Sequence, residues 1–181
     1  MSDKITLEGQ MNHSEQQKIE ELKYLKKFFN CAKLTYKDIQ SGETPDFICN
    51  ILSKKIGIEL VQYHPVNHNH GKCKRDASGK RKQEVGNFIH EYISIIKDKN
   101  TRNYEGNYDE LWLLIHTTER ENSIPIINSV VHSTEFSSYK FDKIYFLYNN
   151  AIYSLYKRPN SLEVSIPEKE PALMYVFIGS P

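Results

Sequence analysis

The sequence lacks the features that mark a secreted or membrane-spanning protein. Its three cysteines, Cys31, Cys49 and Cys73, are odd in number and irregular in spacing, which argues against a disulfide framework and for a reducing compartment. No apolar run is long enough to cross a bilayer, and residues 1–13 lack the basic and apolar regions of a secretory signal. From these absences we expect a soluble, cytoplasmic protein.

An excess of charge of one sign is missing too. The chain has 24 basic and 23 acidic residues, so its formal net charge is +1. This balance excludes a globally basic nucleic-acid coat, although it allows a local basic patch. A length of 181 residues suits one core. We therefore expect a loose leader over residues 1–13 and a single domain over residues 14–181.

Apolar residues at helical spacing predict two long helices. The first should begin at Ser14, its expected N-cap, and end near Ala32. The second should run from about Arg81 to Lys97. A third helix is expected over residues 123–136, with a proline in its first turn.

Shorter apolar and β-branched runs predict strands between these helices. Residues 46–52 and 56–63 are expected to form a hairpin that turns at Ser53-Lys54. The remaining strands are expected over residues 111–116, 143–148, 152–157 and 174–178. This alternation predicts an α/β domain with a mixed central sheet flanked by helices.

Two carboxylates of the expected hairpin differ from the others in the chain. Glu59 lies inside an apolar strand, where an uncompensated charge is costly, and Asp46 begins the partner strand. If Leu52 pairs with Lys55, Asp46 and Glu59 are diagonal neighbours on one face, with Cα atoms about 7–8 Å apart. Two carboxylates with a backbone carbonyl form a hard oxygen site suited to Mg²⁺, which serves phosphoryl chemistry.

These residues carry a family resemblance. Pro45-Asp46 is followed, thirteen positions after the aspartate, by Glu59 within Ile-Gly-Ile-Glu, in the order helix–strand–strand–helix–strand. The pattern resembles the PD-(D/E)XK nuclease superfamily, which has the restriction-endonuclease-like fold. The resemblance implies a metal-dependent hydrolase that cuts phosphodiester bonds in DNA, with RNA as an alternative substrate.

The resemblance also implies a set of site residues. Asp46 and Glu59 would bind Mg²⁺ or Mn²⁺, the carbonyl of Leu60 would be a further ligand, and Glu20 or Glu21 of the first helix would contact the ion through water. Nucleic acid, DNA first, is the implied partner. A homodimer is left open, because such enzymes often need two active sites to cut both strands.

The sequence departs from the family at one position. The lysine that helps deprotonate the attacking water belongs two residues after the glutamate, where this chain has Val61. Lys82 and Gln83, at the start of the expected second helix, are the candidates to replace it. The alternative is an inactive nuclease-like module that binds nucleic acid or protein.

A basic segment follows the glutamate strand. Within eleven residues it contains six cations, namely Lys72, Lys74, Arg75, Lys80, Arg81 and Lys82. Such a cluster binds phosphate backbones without reading sequence, so the first five are expected to hold nucleic acid. The alternative is a solvated loop, which charge runs often form.

The same segment contains potential zinc ligands. His64, His68, His70 and Cys73 lie within ten residues, and imidazole and thiolate are the usual ligands of zinc. Their spacing matches no known zinc motif, and no second pair of ligands follows. A small zinc-binding regulator is therefore a third alternative.

Overall fold

The computed structural model describes residues 12–63, 85–117, 130 and 134–167. These ranges contain the helices α1 (His13–Ala32) and α2 (Val85–Thr101) and the strands β1 (Tyr36–Ser41), β2 (Phe47–Ile51), β3 (Lys54–Gln62), β4 (Glu110–His116), β5 (Lys143–Tyr148) and β6 (Ala151–Lys157). The α/β class expected from the sequence is confirmed. Within the same ranges, no helix combines the length and the apolar character that a membrane span requires.

The six strands form one mixed sheet in which chain order and spatial order coincide, from β1 to β6. β2 is antiparallel to both β1 and β3, whereas β3, β4 and β5 are parallel to one another. β6 returns antiparallel to β5. Helix α2 lies in the connection between the parallel strands β3 and β4, as a parallel crossover requires.

Among the described residues, α1 packs on one face of the sheet and α2 on the other. Because side chains alternate along a strand, Ile58 and Leu60 pack with Leu25 and Phe28 of α1. On the opposite face, the core contains Tyr92 and Ile96 of α2. All of β4 is buried, as its run of apolar residues on both parities predicts.

The N-cap of helix α1 lies two residues before the expected one. Its N-cap is Asn12, whose side chain accepts a hydrogen bond from the backbone N–H of Glu15, while the Glu15 carboxylate accepts one from the Asn12 N–H. This reciprocal capping box satisfies two otherwise unpaired donors, so it outcompetes a cap at Ser14. The prediction of Ser14 as the N-cap is therefore wrong, whereas the helix end at Ala32 is confirmed.

The hairpin of β2 and β3 has a different register from the one expected. Ile51 pairs with Lys54, so the turn residues are Leu52 and Ser53 rather than Ser53 and Lys54. The shift is two residues, which leaves every side chain on its predicted face. Phe47 pairs with Ile58 at the end of the ladder, so the same register extended by one residue would bring Asp46 opposite Glu59 rather than diagonal to it.

Helix α2 extends further than its predicted end at Lys97, because it continues to Thr101. Residues 81–84, where its start was predicted, lie outside the described residues, as does the strand expected over 174–178. Most of the helix expected over 123–136 also lies outside, although residues 134–136 are not helical. Asn149 and Asn150 form the turn between β5 and β6.

Candidate functional site

A cavity of about 630 Å³ opens between α1, the carboxyl ends of β3 and β4, and the end of α2. Its lining is mostly polar and comprises His13, Gln16, Gln17, Glu20, Glu21, Tyr24, Asp46, Leu60, Val61, Gln62, Lys99, Arg102 and His116. Both helices and the end of β3 therefore contribute side chains to one concave surface, the usual form of a ligand or active site.

Asp46 lies at the base of this cavity and is held from two sides. Its Oδ2 accepts a hydrogen bond from the backbone N–H of Leu60 at 2.8 Å, which ties it to the strand that bears Glu59. Its Oδ1 contacts the ammonium of Lys18 at 3.1 Å. The carboxylate is thus oriented by β3 and neutralised by α1.

Glu59 is completely buried, with 0% of its surface exposed. Its Oε1 lies 2.5 Å from Nζ of Lys99 and 3.4 Å from Nη1 of Arg102. Burial raises the pKa of the Glu59 carboxyl, repulsion from Asp46 raises it further, and the two cations only partly offset the rise. A buried carboxylate with one polarised oxygen and a like charge beside it is typical of catalytic sites.

Lys99 comes from the last turn of α2 and is itself buried. Besides Glu59, its ammonium contacts the carbonyl of Leu60 at 3.4 Å. The carbonyl of Lys99 accepts a hydrogen bond of 2.8 Å from the hydroxyl of Tyr104, which anchors this end of the helix. A lysine therefore reaches the glutamate even though Val61 stands at the usual lysine position.

The two α1 glutamates named by the resemblance both line the cavity. Glu20 is exposed, whereas Glu21 is half-buried and lies 3.0 Å from Nζ of Lys18. Lys18 therefore lies between Glu21 and Asp46, and it connects the α1 carboxylates to the carboxylates of the hairpin.

Asp46 lines the cavity and Glu59 is buried next to the lining residue Leu60, and their oxygens are of the type that a hard divalent cation prefers. Asp46 and Glu59 offer carboxylate oxygens, and the Leu60 carbonyl points to the same region, as its contact with Lys99 indicates. Oε2 of Glu59 is buried and has no hydrogen-bond partner among the residues described. In that part of the chain, no three His, Cys, Asp or Glu side chains converge as a metal centre.

Several predicted site residues lie outside the described ranges. They are Lys82 and Gln83, the basic residues Lys72, Lys74, Arg75, Lys80 and Arg81, and the candidate zinc ligands His64, His68, His70 and Cys73. Their expected roles stay predictions.

Sequence reasoning missed three cations of this site: Lys18, Lys99 and Arg102. A signal for Lys99 was present, because it continues the buried stripe of α2 that contains Tyr92 and Ile96. A lysine on an apolar helical stripe needs a buried acidic partner, and Glu59 was the acid without one. Because the helix was predicted to end at Lys97, Lys99 lay outside it and its pairing with Glu59 was not predicted.

When the chain is compared with known proteins, no family model, curated protein or solved structure matches it.

Proposed function

We propose that this protein is a metal-dependent nuclease of the PD-(D/E)XK type, which hydrolyses phosphodiester bonds in DNA or RNA. The observation that carries the proposal is the contact of Lys99 with both Glu59 and the Leu60 carbonyl. It supplies, from α2, the ammonium that the family has two residues after the glutamate.

The order of the secondary structure supports the restriction-endonuclease-like fold. Helix α1 precedes an antiparallel hairpin that bears Asp46 and Glu59, and helix α2 then leads to β4, parallel to the glutamate strand. The β5–β6 hairpin extends the sheet beyond this core. This is the order on which the family resemblance rests.

In this proposal, Asp46, Glu59 and the Leu60 carbonyl hold Mg²⁺ or Mn²⁺, with Glu20 or Glu21 reached through water. The ion, when bound, polarises the phosphate and lowers the pKa of a bound water. Lys99 orients the attacking water beside Glu59 and offsets negative charge at the reacting centre. Arg102, half-exposed in the cavity wall, is free to turn from Glu59 toward a phosphate oxygen.

A cleavage assay with matched variants tests the proposal. Purified wild-type protein, Asp46→Asn and Glu59→Gln are incubated with single- and double-stranded DNA and RNA in Mg²⁺ or Mn²⁺. Glu43→Gln is the control, because Glu43 is exposed and three residues from Asp46. We expect the site variants to lose cleavage by about 100-fold or more and the control to keep it. Absence of cleavage by the wild type, or equal cleavage by all four proteins, would contradict the proposal.

A nuclease-like binding module without catalysis is the second candidate. The observation that favours it is that cations of the chain itself already contact both carboxylates, Lys18 at Asp46 and Lys99 at Glu59. Such a module would bind nucleic acid or protein without regard to divalent metal. Calorimetric titration with Mn²⁺ separates the two, since only the nuclease requires a metal bound at Asp46 and Glu59.

A further inference from the structure

Lys18 holds the oxygen of Asp46 that the backbone leaves more available. Oδ2 of Asp46 is committed to the Leu60 N–H at 2.8 Å, and Oδ1 lies 3.1 Å from the Lys18 ammonium. The same ammonium lies 3.0 Å from Oε2 of Glu21. A single positive charge therefore bridges the hairpin aspartate and the helix glutamate.

A metal ion bound to Asp46 would compete with the Lys18 ammonium for the same carboxylate. Oδ2 of Asp46 already accepts the buried backbone N–H of Leu60 and has one lone-pair site left, so Oδ1 is the more available oxygen for a coordinating cation. An ammonium and a divalent ion on one carboxylate oxygen repel each other, so they do not occupy it together.

The Lys18 ammonium is charged, and it can move away from Asp46. Lysine is ordinarily protonated at neutral pH, and the ammonium of Lys18 contacts two carboxylates, Glu21 and Asp46. Its side chain is 28% exposed, and a flexible four-carbon stem can carry the ammonium outward without rearranging the backbone.

We propose that Lys18 is a resident counter-ion of the site, which a divalent metal must displace from Asp46 and which thereby weakens metal binding. This inference rests on the proposed function, because it assumes that Asp46 binds metal. Its physical consequence is that the metal-free protein is charge-balanced at Asp46, and that metal occupancy starts only above the concentration that displaces Lys18.

The competing explanation is that Lys18 only fastens α1 to the sheet. Its ammonium also lies 5.6 Å from the centre of the Phe47 ring, a contact consistent with such a role. If Lys18 has only this structural role, its removal should lower the melting temperature and leave the metal affinity unchanged. A counter-ion predicts a gain in metal affinity whatever the change in melting temperature.

Metal titration of charge variants tests the inference. Mn²⁺ and Mg²⁺ are titrated by calorimetry into wild type, Lys18→Met, Lys18→Gln and the charge-retaining Lys18→Arg, and melting temperatures are recorded with and without metal. Lys23→Met is the control for overall charge, because Lys23 is exposed on α1 and lines a different groove. We expect the dissociation constant to fall roughly tenfold in Lys18→Met and Lys18→Gln, and to change little in Lys18→Arg and Lys23→Met.

The outcomes separate this inference from the proposed function. Metal binding by the wild type with the same dissociation constant in Lys18→Met and Lys18→Gln overturns the counter-ion role and leaves the nuclease proposal standing. An equal gain in Lys23→Met also overturns it, because the effect would then be general charge. Absence of metal binding in every protein overturns both. Binding by Lys18→Met and Lys18→Gln, with none by Lys18→Arg or the wild type, supports the counter-ion role and overturns the nuclease proposal for the wild type.

Discussion

The ammonium of Lys99 lies 2.5 Å from Oε1 of Glu59, across forty residues of sequence. The glutamate is fully buried and the lysine side chain is 11% exposed, so neither charge is well hydrated. Each group compensates the other, and the pair stands at the edge of a polar cavity. One contact therefore serves two purposes: it makes a buried carboxylate tolerable, and it brings a cation to the proposed reacting centre.

Replacement of Lys99 by methionine is expected to abolish cleavage but not metal binding. Methionine keeps the apolar stem and removes the ammonium, while both carboxylates remain. We expect the cleavage rate at saturating Mg²⁺ to fall by about 100-fold or more. The matched control is Lys97→Met, an exposed lysine on the same helix. Wild-type cleavage by Lys99→Met together with loss in Lys82→Ala would return the role to Lys82.

The ion pair between Lys99 and Glu59 should contribute strongly to the free energy of unfolding. Breaking a buried ion pair from one side leaves an uncompensated charge, so Lys99→Met should lower the free energy of unfolding by about 3–5 kcal/mol. The double variant Lys99→Met with Glu59→Gln should recover much of that loss, because it buries no lone charge. Urea unfolding of the single and double variants measures the coupling. If the two single substitutions lower the free energy of unfolding additively in the double variant, Lys99 and Glu59 are not coupled, and Arg102 alone compensates the charge of Glu59.

Another buried carboxylate, Glu110, lies at the start of β4, away from the cavity at the carboxyl end of that strand. It accepts hydrogen bonds from Nζ of Lys54 at 2.6 Å, from Nε1 of Trp112 at 2.9 Å and from the backbone N–H of Leu162. Burial raises the pKa of Glu110, but these three donors outweigh it and hold the pKa below the usual value of 4.5. The network fastens the segment after β6 to the sheet.

The stability that Glu110 supplies should depend on pH with a defined sign. A carboxyl whose pKa is lower in the folded state stabilises the protein above its unfolded pKa, and the effect is lost as the pH falls through the folded pKa. Glu110→Gln should therefore lower the free energy of unfolding by about 2 kcal/mol near pH 7. The difference from wild type should shrink as the pH is lowered below 4.5. Thermal unfolding between pH 3 and pH 7, at roughly one-unit steps, measures it, with exposed Glu105→Gln as control.

The turn between β2 and β3 offers a stabilising substitution. Leu52 has a φ of 54° and is 72% exposed, so a branched apolar side chain stands in the left-handed region with nothing to pack against. Leu52→Gly should raise the free energy of unfolding by about 1 kcal/mol, because it removes the strain of a left-handed L-residue. Asn150→Gly, at a turn residue with a φ of 62°, is the control and should gain less, since asparagine tolerates that region. Equal midpoints in urea for Leu52→Gly and wild type would contradict this.

Local sequence patterns predicted most of the helices and strands, and the predictions that were wrong have physical causes. The six described strands match apolar or β-branched runs except β1, which is short and mostly exposed and therefore carries little periodic signal. The hairpin register was wrong by two residues because a turn is decided by backbone conformation, here a leucine at positive φ, which residue type does not reveal. The predicted end of α2 at Lys97 is too early because the last apolar residue of its buried face is Ile96, whereas the next buried position is occupied by a lysine, Lys99.

The sequence by itself placed Asp46 and Glu59 close together at one end of the β2–β3 hairpin, where Asp46 accepts a hydrogen bond from the backbone N–H of Leu60. Side chains alternate with a period of two, so a register shift of two residues leaves that result intact. Only the tertiary structure decided which cations meet the two carboxylates. Lys18 and Lys99 come from helices on opposite faces of the sheet, and their reach depends on where each helix ends and how it packs. Such contacts join residues 28 and 40 positions apart, and no local pattern encodes them.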